Sequence, residues 1–188
     1  TSLSRDYFLL SKGHAALGLY TVLSKKKFFS KEFLINNYLS NGGKLGGHPD
    51  TNHKLGIDFS SGSLGHSLSV GIGIAIAKKD NNRTGRVYVL VGDGELNEGM
   101  IWEAIMFASS KKLTNITLIV DYNNLQGIGY SNSIITLDSL EDKFIAFGWL
   151  VSNINGHNIR DIINCFNKNY NQPHVIIANT IKGNGLKT

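Results

Sequence analysis

The chain has few of the residues that stabilise small secreted domains. Among its 188 residues there are one cysteine, Cys165, and two prolines. A single cysteine excludes an internal disulfide and is typical of a reducing compartment, so we expect a cytoplasmic location. We find no amino-terminal secretion signal and no apolar run long enough to cross a bilayer, so we also expect no membrane association.

Charged residues make up 18% of the sequence, which is ordinary for a globular protein, and the formal net charge is +5. The lysines are scattered, and the triplet at 25–27 has the pattern of a solvated helix end. We therefore expect no nucleic-acid partner. The length and the hydrophobic content of 41% are those of one well-cored domain, which we assign to residues 1–188.

Short apolar runs alternate with helical patterns in the second half of the chain. Strands are predicted at Arg86–Val91, Asn115–Asp121, Trp149–Ile154 and His174–Thr180, with helices near Glu98–Lys111, Leu137–Phe147 and Asn158–Tyr170. Such alternation predicts an α/β fold, with a doubly wound parallel sheet and helices on both of its faces.

The first half of the chain is predicted to be helical around one long loop. Helices are expected over Gly13–Lys25, after a Ser30 cap, and over Leu64–Ala77, where small residues would allow a close approach to a neighbouring backbone. The segment 40–62 is rich in glycine and long for a compact domain, which indicates a functional loop.

Two predicted strands end in polar residues that are suited to a metal ion. Gly92-Asp93-Gly94 follows one strand, and Asn123 follows the next. Because one crossover separates them, the two strand ends can be neighbours in space. A carboxylate and an amide oxygen, without a histidine or cysteine beside them, favour Mg²⁺ over zinc, and Ca²⁺ or Mn²⁺ would be the substitutes. Because the protein supplies so few ligands, we expect a diphosphate to complete the coordination shell of the metal. The alternative is that GDG is only a turn without a ligand.

The motif GDG followed by NN resembles the signature of thiamine-diphosphate enzymes. Three further stretches, LLSKGHAALGLY, GGHPD and SSGSLGHSLSVGIGIAIA, occur in the order and spacing typical of transketolases, and GWLVSNINGHNIRDI and PHVIIANTIKGNG resemble the end of the same domain. The resemblance covers nearly the whole chain. It implies the diphosphate-binding (PP) domain of a transketolase of the type that is split between two polypeptides.

The resemblance also assigns site residues. The metal ligands would be Asp93, Asn123 and the Leu125 carbonyl. Catalytic roles fall on His14, near the diphosphate and thiazolium, on His48, which would handle sugar hydroxyls, and on Glu98, which would face the partner's catalytic glutamate. Together with the residues themselves, the resemblance leads us to expect cofactor binding from a larger set: His14, Gly62, Leu64, His66, Gly92, Asp93, Gly94, Glu95, Asn123 and Lys182. Taken by themselves, such histidines are more often surface or capping residues, and we expect His53 and His174 to be structural or exposed.

The implied activity needs a second chain. Thiamine diphosphate and Mg²⁺ would support transfer of a two-carbon ketol unit from a ketose to an aldose, with phosphorylated or nucleotide-linked sugars as substrates. The activating glutamate would come from a partner subunit that carries the pyrimidine-binding domain, in a homo- or hetero-oligomer such as α2β2. Two further histidines of the family, in an upstream helix and shortly after TIKGNG, have no counterpart here, so we expect the domain to lack terminal segments.

Three alternatives remain open. The first is another thiamine-diphosphate enzyme, a deoxyxylulose-phosphate synthase or a 2-oxoacid dehydrogenase component, although GHPD favours transketolase. The second is a nucleotide-binding Rossmann protein, which would need a glycine-rich turn where this chain has a predicted helix. The third is a catalytically degenerate subunit kept for assembly.

Overall fold

Five parallel strands form the central sheet of the computed structural model, which describes residues 4–186. The ends of the predicted 1–188 domain, residues 1–3 and 187–188, lie outside the described residues. The strands are β1 (Tyr7–Leu10), β2 (Val87–Gly92), β3 (Ile116–Tyr122), β6 (Leu150–Asn155) and β7 (His174–Asn179), in the spatial order β1-β2-β3-β7-β6. A separate antiparallel hairpin joins β4 (Leu125–Gln126) to β5 (Gly129–Tyr130).

Seven α-helices lie within residues 4–186: α1 (Ala16–Lys25), α2 (Lys31–Asn37), α3 (His66–Asp80), α4 (Gly99–Ser110), α5 (Ser131–Ile134), α6 (Leu140–Ala146) and α7 (Ile159–Phe166). Side chains start several of them. The Ser30 hydroxyl accepts the Phe33 N–H at 3.0 Å, as predicted for that cap. None of the helices in this part of the chain is long and apolar enough to span a bilayer.

The main core lies on one face of the sheet. Valines of β2 alternate inward, and α3 and α4 pack on them together with Phe144 of α6. Gly71 of α3 allows close contact, because a Cβ there would lie 2.7 Å from Val89 Cγ2. The close approach predicted for this small-residue helix is therefore present, and it fixes α3 directly above the strands that carry the site.

The other face is more open. Cys165 of α7 is buried against Ile176 and Ala178, so the single cysteine is a packed helix residue. Between α1 and α7 the sheet lines the apolar part of a large cavity that continues to the carboxyl ends of the strands. Helices on both faces of a parallel sheet confirm the predicted fold class.

The predicted elements agree with the structure to within a few residues, with two differences. No element was predicted at Tyr7–Leu10, which forms the edge strand β1. The segment from Leu125 to Ile134 was also left unassigned, yet it forms a hairpin and a short helix. The hairpin matters for the site, because Leu125 and Gln126 line the cavity, whereas no residue of β1 is among the cavity-lining residues.

Candidate functional site

The ends of β2 and β3 lie side by side. Gly92 is paired with Asp121 in the parallel register, and the Asp93 N–H donates to the Asp121 carbonyl at 3.2 Å. Asp93 and Asn123 therefore leave adjacent strands at the same edge, and both line one cavity of about 1270 Å³. The two strand ends that the sequence predicted to be neighbours are therefore adjacent in the sheet.

Asp93 is 1% exposed and held from two sides. Its Oδ1 accepts the Gly94 N–H at 2.9 Å, and its Oδ2 accepts the buried Ser131 hydroxyl at 3.0 Å. Across the site, Asn123 Oδ1 accepts the Leu125 N–H at 3.0 Å. Each of these oxygens keeps a further lone pair, so both side chains are oriented by the chain and still able to bind a cation.

The β4–β5 hairpin packs closely on the GDG turn. A Cβ at Gly94 would lie 2.6 Å from Gln126 Cβ, so only glycine fits there. Gln126 lines the cavity, and its buried Nε2 has no hydrogen-bond partner within residues 4–186. A buried donor beside a cavity is a candidate contact for an anionic or carbonyl-bearing ligand.

An ion pair that the sequence analysis missed forms part of the cavity lining. Lys12 Nζ donates to Asp121 Oδ2, and the Thr180 hydroxyl donates to Oδ1 of the same carboxylate. Burial alone would raise the pKa of Asp121, but the hydrogen bonds from Lys12 and Thr180 outweigh it and lower the pKa. Lys12 is 8% exposed and stands in the SKGH motif, where only the histidine was singled out.

Two other predicted residues, His14 and Lys182, stand at the mouth of the cavity. Burial lowers the pKa of His14, helped by the charges of Lys12 and Lys182. The imidazole is therefore neutral at pH 7 and can both donate and accept a hydrogen bond. His157 supports the segment of Lys182, because its Nε2 accepts the Ile181 N–H at 2.8 Å.

The SKGH turn packs against the GHPD and GSLG loops. A Cβ at Gly13 would lie 2.8 Å from His48 Cδ2 and 2.9 Å from Ser61 Oγ. Gly62 is also close to His48, with 3.9 Å between its notional Cβ and Cδ2 of the ring. His14, His48 and Gly62 are thus brought together, although His48 and Gly62 lie outside the lining of the large cavity.

Of three further predicted residues, one lines the cavity and two are exposed outside its lining. Leu64 lines the cavity. His66 is exposed, with its Nδ1 3.1 Å from the Leu64 carbonyl oxygen. Glu98 is exposed just before α4, and a Cβ at Gly65 would lie 3.1 Å from its Cβ. Neither His66 nor Glu98 is among the cavity-lining residues.

Glu95 is among the cavity-lining residues, but its carboxylate is directed at groups of the protein. It is 3% exposed, and its carboxylate accepts hydrogen bonds from Ser11, Gly65 and Gly92. Burial raises the pKa of this carboxyl group, and those hydrogen bonds oppose the rise. The cofactor role predicted from the sequence thus falls on a side chain whose two oxygens are already bonded to protein donors.

Three residues that we expected to be structural or exposed lie in the core or at the surface, away from the lining of the cavity. His174 is buried, lies 2.9 Å from Ser152 Oγ and stacks on Tyr170. Burial lowers its pKa to about 4. His53 is exposed near Asp58. Trp149 is buried and donates to the Ile105 carbonyl at 2.9 Å, as expected of a core residue.

The donor set of the cavity restricts the chemistry. Across residues 4–186 there is no group of three or more His, Cys, Asp or Glu side chains that could hold a metal ion. Asp93 and Asn123, with a backbone carbonyl, are a sparse oxygen set of the kind that Mg²⁺ completes with water and phosphate.

The sequence matches one protein family along its full length. Residues 1–188 match the family model described as the transketolase thiamine diphosphate binding domain, and the chain belongs to this family. The resemblance to transketolases is thereby confirmed.

Relatives and solved structures agree with this assignment. The chain is 40% identical to the 6-deoxy-6-sulfo-D-fructose transketolase subunit SqwG of Clostridium sp. (strain MSTE9), covering 96% of this chain and 66% of the relative. It is 42% identical to an apulose-4-phosphate transketolase subunit of Phocaeicola vulgatus, covering 97% and 65%. A crystal structure of Campylobacter jejuni transketolase superposes with a TM-score of 0.88 at 34% identity, covering 97% of this chain and 30% of that one. The chain thus spans about two thirds of the length of the curated subunits.

Proposed function

We propose that residues 1–188 form a single diphosphate-binding domain that holds thiamine diphosphate through one Mg²⁺. With a partner subunit that carries the pyrimidine-binding domain, it transfers a two-carbon ketol unit from a ketose to an aldose. The observation that carries this proposal is the pair Asp93 and Asn123, which leave adjacent strands and line one cavity.

The residues present fit such a metal-bound diphosphate. Asp93, Asn123 and the Leu125 carbonyl supply three hard oxygen ligands, which leaves the rest of an octahedral shell to water and diphosphate. At Gly92 an added Cβ would meet no atom within 4 Å, so the backbone there borders open space. Gly92 thus allows a ligand to approach the turn closely, whereas the space beside Gly94 is filled by Gln126.

Within the described chain, the cavity also has an uncompensated cation for an anionic ligand, although its lining holds three carboxylates and two lysines. Lys182 lines it and has no carboxylate within salt-bridge distance among residues 4–186, whereas Lys12 is compensated by Asp121. In the proposed complex Lys182 attracts the diphosphate from the mouth of the cavity. The Gln126 amide supplies a neutral donor from the hairpin side.

The histidines would serve the substrate. When bound, the cofactor supplies the stabilised carbanion of ketol transfer. His14, neutral at pH 7, can donate a hydrogen bond to an oxygen in the cavity or accept a proton from it. His48, packed against the turn of His14, would orient sugar hydroxyls.

The exposed rim would meet the partner. Glu98 and His66 lie outside the lining of the cavity and remain accessible, which suits contact with a second subunit. The relative SqwG and the apulose-4-phosphate transketolase chain are themselves named as subunits. We propose the same split arrangement, with α2β2 as the expected assembly. Since the names of those two relatives give different sugars, the sugar of this chain is left to product analysis.

Calorimetry tests the cofactor proposal. Thiamine diphosphate and Mg²⁺ are titrated into the purified chain, alone and with its pyrimidine-domain partner. Asp93→Ala should lower the affinity at least about 100-fold, because a direct metal ligand is lost. The matched control is Asp80→Ala, at the far end of the 15-residue helix α3, about 22 Å long, where affinity should be unchanged. No binding by the wild type, or unchanged binding in Asp93→Ala, would refute the proposal.

Product analysis tests the reaction separately. With ketose donors and aldose acceptors, the assembled enzyme should transfer two carbons. Turnover of pyruvate or another 2-oxoacid in place of a ketose would assign the chain to a different thiamine-diphosphate enzyme. Cofactor binding without turnover of any donor would indicate a degenerate assembly subunit.

A further inference from the structure

One buried carboxylate joins three segments that end at the proposed site. Glu95 is the second residue of the short 3-10 turn Gly94–Asn97 and is 3% exposed. Its Oε1 accepts the Ser11 hydroxyl and the Gly65 N–H, the latter at 2.8 Å. Its Oε2 accepts the Gly92 N–H at 3.2 Å. The donors lie 84, 30 and 3 residues away in sequence.

Each donor is close in sequence to a predicted site residue. Ser11 follows β1 and begins the SKGH turn that ends in His14, Gly65 stands between Leu64 and the start of α3, and Gly92 precedes Asp93. The contact thus links the turn of the imidazole, the loop expected to meet the cofactor rings, and the metal-binding turn. No backbone hydrogen bond joins Ser11 or Gly92 to Gly65 within residues 4–186.

Although Glu95 borders the cavity, the same geometry argues against direct contact of its carboxylate with the ligand. Both carboxylate oxygens are directed at groups of the protein, and a second anion next to a diphosphate would repel it. The buried carboxylate is instead compensated by three donors, two of them backbone N–H groups that cannot be replaced by side-chain mutation.

We propose that Glu95 is a positioning residue that holds the ends of β1 and β2 and the start of α3 at the spacing thiamine diphosphate requires, without touching the cofactor. This inference rests on the proposed function for its ligand, although the contact itself exists in the cofactor-free chain. Asparagine or alanine cannot reach all three donors, and glutamine would place an NH₂ group against at least one of them.

Amide hydrogen exchange and calorimetry on Glu95→Gln test the proposal together. In the cofactor-free chain, exchange at the Gly65 or Gly92 amide should accelerate about tenfold, because a charge-assisted hydrogen bond is lost. Affinity for thiamine diphosphate with Mg²⁺ should fall about 10- to 100-fold, as for other groups that orient metal ligands. The exposed Glu103→Gln of α4 is the matched control and should change neither quantity.

A second variant separates positioning from direct contact and from misfolding. Ser11→Ala removes one of the three donors, so it should lower the affinity for thiamine diphosphate less than Glu95→Gln does. Because both changes break the same contact, the double variant should bind within about twofold of Glu95→Gln alone. Reduced affinity with unchanged exchange at both glycines would show direct contact and overturn the proposal, as would unchanged affinity. If the wild-type chain binds no cofactor, the proposed function fails, and the exchange data alone then show whether Glu95 holds the three segments.

Discussion

Replacing Asp121 by asparagine would remove the charge that compensates Lys12 without changing the size of the side chain. Lys12 and Asp121 side chains are 9% and 27% exposed, so the ammonium group is the more deeply buried partner. Breaking a fully buried pair costs about 3–5 kcal/mol because one charge is left uncompensated. Since the carboxylate borders an open cavity, we expect about 2–3 kcal/mol for Asp121→Asn, equivalent to a melting temperature lower by about 5–10 °C.

Urea denaturation of a double-mutant cycle would measure this contribution. Lys12→Met should be less destabilising, since Asp121 keeps the Thr180 hydroxyl and access to water. The double variant should be more stable than the two single effects predict, by at least about 1 kcal/mol. A loss below about 0.5 kcal/mol for Asp121→Asn, with additive effects, would refute the view that this pair stabilises the strand ends.

The same pair has a pH signature. The pKa of Asp121 is lowered in the folded chain, so its contribution is present above the unfolded pKa, near 4, and is lost as pH falls through the folded value. The wild type should therefore lose more stability below about pH 4 than Asp121→Asn does. Parallel pH profiles for the two proteins would contradict the assigned pairing.

Three further predictions concern the turn and the core. Gly94→Ala should destabilise the chain by about 1–3 kcal/mol and weaken cofactor binding, because the new Cβ meets Gln126; denaturation and calorimetry check this. Ser131→Ala should lower Mg²⁺-dependent cofactor affinity about tenfold by freeing the Asp93 carboxylate, and unchanged affinity would contradict this role. His174 is neutral in the fold with a pKa of about 4, whereas the unfolded value is about 6.5. Stability should thus fall from pH 6.5 toward pH 4, by at most about 3 kcal/mol, and His174→Gln should flatten that slope in pH-dependent denaturation.

Much of the fold could be predicted from periodicity. Strands such as Ile116–Tyr122 are mostly buried, although Ile119 and Asp121 line the cavity, and their continuous apolar runs stand out between helical patterns. The edge strand Tyr7–Leu10 was missed because four apolar residues in front of a helix have no period of their own. The two-residue strands of the hairpin are shorter still, and they pack on the GDG turn, which is distant in sequence.

Local motifs singled out Asp93 and His14, which line the cavity, while their roles stay predictions. The residues that hold them were not predictable. Lys12 meets Asp121 across 109 positions, and Ser131 meets Asp93 across 38. Such pairs follow from the order of strands in the sheet, which the sequence pattern does not specify. Glu95 shows the converse, since the motif drew attention to it but only the structure shows which groups it contacts.

The central claim is that Asp93 and Asn123 bind one cation together with the cofactor's diphosphate. Crystals of the chain grown with thiamine diphosphate and Mn²⁺ would test it through the anomalous signal of the metal. We predict a single peak within about 2.5 Å of an Asp93 carboxylate oxygen, the Asn123 amide oxygen and the Leu125 carbonyl, with diphosphate oxygens completing the shell. A metal bound elsewhere, or a diphosphate bound while Asn123 is turned away, would contradict the account.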